Sequence, residues 1–126
     1  MMLYMPDDLQ VNIIYSKRKT IAIELHMDKI LMHAPMVGVD YGRITIRNQR
    51  SRWGSCSAKG NLNFNCLLIL FPGDVIDYVV VHELCHRKHM NHSAEFYAEV
   101  ECVFPQYRRC KKWLRENGSL YLNRVM

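Results

Sequence analysis

His82-Glu83-Leu84-Cys85-His86 is the segment of this chain whose residue types and spacing can do chemistry. Residues four apart on a helix lie on one face with Cβ atoms about 5–6 Å apart. Two imidazoles so placed can converge on one zinc ion at about 2.0–2.1 Å each. Glu83 is the next residue round the helix and can reach a water at the metal without being a ligand. It is the expected general base. A catalytic zinc takes three protein ligands and leaves one position open. His92, six residues past His86, supplies the third if the chain reverses at Met90-Asn91, where Asn tolerates positive φ. His89, three past His86, is the competitor, and His92 is preferred because the third ligand of a catalytic site comes from beyond the helix end. With zinc on His82, His86 and His92, the expected reaction is hydrolysis of an amide. Water is activated at the metal, Glu83 accepts its proton, and the same carboxyl passes a proton to the leaving amine.

The elements that must position these groups change period along the chain. Val11 to Tyr15, Thr20 to Leu25 and Ile30 to Ala34 are rich in β-branched residues, which predicts a meander of three strands ended by Pro35. Arg43 to Arg47 alternates polar and apolar residues as a half-wet strand does. Ser51 to Ser57 and Leu62 to Asn65 flank Gly60-Asn61 and read as a hairpin. After Pro72 the period is helical. Asp74 can cap a helix that is apolar nearly all round from Val75 to Cys85, and such a helix must be buried. A second helix opens at Ser93 and stops before Pro105, and a third spans Gln106 to Asn117 with Gly118 as its cap. Strands first and helices after make an α+β domain. The 126 residues are one domain's length and are read as a single domain, 1–126.

No apolar run approaches the roughly 20 residues a bilayer requires, so no membrane partner is expected. The five cysteines are odd in number and form no C-x-x-C pair, which points to reduced thiols and a cytoplasmic address. Cys56 and Cys85 lie near the histidines, and Cys85 is read as core. Tyr78, Tyr97 and Tyr107 are equivalent candidates for steadying an oxyanion. Glu95, Glu99 and Glu101 receive no role. Net charge is +5, and the basic residues of the last helix (Arg108, Arg109, Lys111, Lys112, Arg115) define a candidate nucleic-acid surface. An ordinary wet helix face explains them as well, since no base-reading motif accompanies them. The alternative to an enzyme is a nucleic-acid- or protein-binding module with a structural zinc, distinguished by four closed ligands.

Arg52-Trp53-Gly54-Ser55-Cys56-Ser57, Asn65, Pro72, Asp77 to His86, Asn91-His92-Ser93, Phe96, Pro105 and Trp113-Leu114 resemble the YgjP-like metallopeptidase family, related to SprT-like proteins among the zincins. The resemblance is dense over Ser51 to Gly118 and reaches weakly to Ser16 to Thr20 and Ala34-Pro35. It implies a zincin-like α+β fold, a small twisted sheet packed on the active-site helix with two C-terminal helices behind. It implies zinc on His82, His86 and His92, catalysis by Glu83, and a protein or peptide substrate lying along a sheet edge, for which the Trp53 to Asn65 hairpin is the candidate. Only Met36 to Gly42 fills a stretch that is longer and helical in relatives.

Overall fold

The computed structural model describes residues 24–49 and 51–125. The strands expected at Val11 to Tyr15 and over Thr20 to Ile23 lie outside the described residues.

Residues 24–37 form a helix, α1, where sequence patterning predicts strands. The buried positions are His26, Ile30, His33, Ala34 and Val37. Their spacing of four, three, one and three is helical. Two of these five inward residues are histidines, so a pattern read from apolar residues alone misses the period. Gly38, at φ +79°, ends the helix in the left-handed region, its N–H bonding back to the Ala34 carbonyl at 2.8 Å.

Three short strands follow: β1 (Ile44–Arg47), β2 (Gly54–Cys56) and β3 (Leu62–Asn65). The sheet order is β1-β3-β2. The expected hairpin is present, with β2 antiparallel to β3 in the register Gly54 to Phe64, Ser55 to Asn63 and Cys56 to Leu62. β1 pairs parallel to β3, which places β2 at an edge among the described residues. Gly60, at φ +89°, makes the turn, and a side chain there would also run into the Arg87 guanidinium.

Asn65 is fully buried and holds this region by side-chain hydrogen bonds. Its Oδ1 accepts from the Leu67 N–H at 3.0 Å, capping the 3-10 turn Cys66–Leu70. Its Nδ2 donates to the carbonyls of Gln49 at 2.9 Å and Arg52 at 3.0 Å. The loop into β2 is thereby tied to the end of β3.

The central helix α2 (Gly73–Cys85) buries Val75, Ile76, Tyr78 to Val81 and Glu83 to Cys85, as its nearly continuous apolar surface requires. Its cap is Pro72 rather than the expected Asp74. The Pro72 carbonyl takes the first helical N–H groups, and Asp74 in the first turn instead pairs with Arg109 at 2.9 Å. Asp77 accepts from Lys29 and His33 of α1, both at 2.9 Å, joining the two helices. Ser93 caps α3 (Ala94–Val103) as predicted, accepting from the Phe96 N–H.

The last helix, α4, runs Tyr107–Val125 and passes straight through Gly118, which is not a cap. The reason is close packing. A Cβ at Gly118 would stand 3.0 Å from the Trp53 indole nitrogen, so glycine there makes room for the indole. Trp53 packs edge-on to Phe71, and Phe71 edge-on to Trp113.

Removing the Asn65 side chain leaves a buried N–H and two carbonyls without their partner, each an expensive loss. Asn65→Ala is expected to destabilise the chain by about 2–4 kcal/mol in equilibrium urea denaturation.

Candidate metal centre

The last turn of α2 carries His82 and His86 on one face, and the chain then reverses to bring His92 to them just before α3 begins. His89 N–H and Lys88 N–H both bond to the Cys85 carbonyl, so the reversal is a continuation of helical turns. No left-handed residue at Met90-Asn91 is used: among the described residues every positive φ belongs to a glycine.

His92 Nε2 lies 3.1 Å from His82 Nε2 and 3.1 Å from His86 Nε2. The candidate ligand atoms of the three residues all fall within 4.8 Å of one another. Among the described residues no fourth His, Cys, Asp or Glu joins this group, and the ring of His89 stands outside it. What His89 provides is its carbonyl, which accepts from His86 Nδ1–H at 2.9 Å and fixes the tautomer that leaves Nε2 with a lone pair. His82 Nδ1 is 3.3 Å from the Tyr78 hydroxyl, one turn earlier on α2. Burial raises the Tyr78 pKa, so this group is a neutral phenol. Tyr78 therefore orients His82. Tyr97 accepts from Lys111 Nζ at 3.1 Å and stacks between His92 and Tyr107.

Phe96 is the floor of the site. Fully buried, it stacks on His86 with centroids 4.4 Å apart and meets His82 and His92 edge-on at 4.8 and 5.2 Å. Burial lowers the pKa of His86 and, with the neighbouring imidazoles, brings His82 down to about 3. Convergent nitrogens on neutral imidazoles are the donor set that suits zinc and related borderline ions, so the residues present fit such a metal.

Glu83 is only 5% exposed and lies against β2. A Cβ on Gly54 would come 3.0 Å from Glu83 Cγ and 3.1 Å from Oε2, so the absence of a side chain at Gly54 is what lets the carboxylate reach the strand. Burial raises the Glu83 pKa to about 8, against the opposing positive charge of Arg52. A cavity of about 230 Å³ opens between the histidines, Glu83 and Gly54 to Cys56 of the edge strand. Cys56 lines it with its thiol pKa raised, first by burial and then by Glu83. Cys85 is core, as expected, its thiol pushed up to about 12 by burial.

Several other charged residues are committed to one another. Glu99 pairs with Lys88, Glu101 with Arg108, and Asp74 with Arg109. Two of the five basic residues that define the candidate nucleic-acid surface, Arg108 and Arg109, are thus in ion pairs, and Lys111 bonds to Tyr97, which lowers the charge free for a polyanion. Arg87, just past α2, donates to Asp40 Oδ1 and its carbonyl at 3.0 Å and to the Ala58 carbonyl at 3.4 Å. It pins the loop before β1 and the hairpin turn to the end of the helix.

Sequence reasoning assembles the histidines and Glu83 but misses the groups that orient them. Tyr78 could have been found from its i to i+4 spacing to His82. The His89 carbonyl and the Phe96 floor leave no such trace.

In the metal-free chain, Glu83 is stabilised as the neutral acid. That contribution is complete below its unfolded pKa of 4.5 and is lost as pH rises through about 8. His82 works oppositely, stabilising above 6.5 and losing its effect as pH falls toward about 3. Between about pH 6.5 and about pH 8 the Glu83 effect governs. The urea midpoint of the chelator-treated chain is expected to fall across that interval, and Glu83→Gln to flatten the fall.

Comparison with known proteins follows the same line. The family described as YgjP-like, metallopeptidase domain, matches residues 5–117. The crystal structure of the metallopeptidase zymogen abylysin from Pyrococcus abyssi superposes with a TM-score of 0.66 and 24% identity, covering 76% of this chain and 95% of that one. Jannalysin from Methanocaldococcus jannaschii, also described as a metallopeptidase zymogen, gives 0.62 and 21%, covering 75% and 96%. These likenesses show the fold. No curated protein matches the sequence.

Proposed function

The chain belongs to the YgjP-like metallopeptidase family, and on that premise we propose that it is a zinc-dependent peptidase in which Glu83 is the general base and His82, His86 and His92 hold the metal. The observation that carries this reading is the placement of a buried carboxylate beside three convergent imidazole nitrogens, all facing one cavity. When bound, zinc supplies Lewis acidity, which polarises a carbonyl and makes water a nucleophile at neutral pH.

The remaining work falls to the chain's own groups. Glu83, held against Gly54, accepts a proton from the attacking water and delivers it to the departing amine nitrogen. The His89 carbonyl holds the His86 ring in one tautomer, and the Tyr78 hydroxyl orients the His82 ring. The edge strand β2 offers main-chain donors and acceptors along one wall of the cavity, so an extended substrate can add to the sheet there. Such pairing reads backbone and gives little sequence selectivity. A three-ligand set with the cavity on its open side favours catalysis over a structural zinc, which closes all four positions. No described helix is long and apolar enough to cross a membrane.

The deciding experiment is cleavage of an unstructured protein by the zinc-loaded chain. Glu83→Gln is expected to keep its zinc and lose activity by about 10²–10⁴-fold, the usual worth of a positioned general base. Chelation should abolish cleavage and zinc restore it. Retained activity in either case would remove Glu83 or the metal from the mechanism. Gly54→Ala, whose Cβ would displace Glu83, is expected to bind zinc normally and lower kcat by at least about tenfold, since small misplacements of a reacting group cost this much or more.

A further inference from the structure

Glu83 has space on two sides. Beyond the cavity at the histidines lies a second one, of about 220 Å³, which shares Gly54, His82 and Glu83 with the first. Its own walls are Trp53, Tyr78, Val79 and Leu114, with Arg52 as the cation among them. These walls are built rather than incidental. The indole of Trp53 is seated against Gly118 of α4, and the buried Asn65 holds the Arg52 carbonyl at 3.0 Å.

Arg52 is the one cation among the described residues that line this cavity, and several basic residues elsewhere are already paired. Arg87 is engaged with Asp40, Arg108 with Glu101, Arg109 with Asp74, and Lys88 with Glu99. No hydrogen bond or ion pair engages the Arg52 side chain among the described residues, and the residue is exposed at the cavity's edge. A guanidinium is a rigid fork that pairs a carboxylate through two parallel N–H donors. Set beside aromatic and aliphatic walls, it makes a pocket for a short apolar stem ending in an anion. Glu83, the one acidic residue of the lining, is buried on the boundary the two cavities share, where it also feels the Arg52 charge.

We propose that this second cavity binds a carboxylate-bearing residue of the substrate, with Arg52 pairing the carboxylate and Trp53 and Leu114 covering its stem. The assignment of the ligand as a peptide rests on the peptidase reading above. Two sources carry the same chemistry: an Asp or Glu side chain close to the scissile bond, or the free carboxylate at a peptide's end.

The test compares four peptides of one common sequence. One has a central Glu and an amidated end, the second Gln in its place and an amidated end, the third Gln and a free carboxyl end. The fourth has Glu moved to the remote end. Affinities are measured by calorimetry with the chelator-treated full chain, which separates binding from turnover, and kcat/KM with the zinc-loaded chain. The peptide with the matching carboxylate is expected to bind about tenfold tighter than the neutral one, the equivalent of one charge-assisted pair. The first peptide identifies the side-chain source and the third the terminal one. Arg52→Gln should erase the difference between the carboxylate and neutral peptides, and Arg52→Lys should restore part of it. Equal affinities, no measurable binding by any peptide, preference for the remote Glu, or a preference that survives Arg52→Gln would overturn the proposal. Binding that follows the carboxylate without cleavage of any peptide by the zinc-loaded chain would instead overturn the peptidase reading and leave the carboxylate pocket standing.

Discussion

The constraint on which this structure turns is the burial of ionisable groups inside an otherwise apolar helix. Val79, Val80, Val81, Leu84 and Cys85 draw α2 into the core, and Glu83 and His86 go with them, His82 half-buried between. A buried charge without a partner is costly, so groups in such a place stay neutral or acquire neighbours. Both happen here. The imidazoles lose basicity and the carboxyl gains it, while Tyr78, the His89 carbonyl and the Phe96 ring fill the space around them. A metal ion is the neighbour that would complete the set.

The packing around α2 has a matching logic, because a short chain has few elements with which to enclose such a helix. Polar side chains join those elements at a few points. Asp77 ties α2 to Lys29 and His33 of α1, Arg87 ties its far end to Asp40 and the hairpin turn, and Asn65 ties the loop at Gln49 and Arg52 to β3. The Asp77 bonds join two regular helices, whereas those of Arg87 and Asn65 act where the chain is irregular and no ladder of backbone hydrogen bonds supplies rigidity. β2, only three residues long, keeps its place opposite Glu83 because it is held on one side by β3 and at its entry by Asn65.

Legibility in the sequence followed the locality of the cause. The spacing of His82, Glu83 and His86 within one helix, the Gly60-Asn61 turn and the Ser93 cap are all decided by neighbours a few residues apart, and each could be read. α1 could not, because its inward face includes His26 and His33, which hydrophobic patterning treats as outward. The end of α4 was misjudged for a related reason. Gly118 looks like a cap in isolation, and only its distance from Trp53, 65 positions away, reveals that the residue is small to admit an indole. The Pro72 cap was missed because Asp74 is the better capping residue by type but is drawn off by Arg109.

Gly54 and Gly118 then acquire a common meaning. Each stands where a side chain would take space from a larger group, Glu83 in one case and Trp53 in the other. Those two groups border the second cavity, and Glu83 borders both. For the general-base role proposed above, a carboxyl reached from two sides would meet water on one and the substrate's departing half on the other, as a residue that first accepts and then returns a proton requires. The edge strand lines the third side, and on the peptidase reading it would hold a substrate by its backbone while the flanking cavities meet its side chains. Selectivity in such a site resides with the few groups that line a cavity without being spent on the fold. Arg87 and Lys88, just past α2, are bound to Asp40 and Glu99, so the carboxylate pocket proposed above rests on Arg52, the cation that lines it.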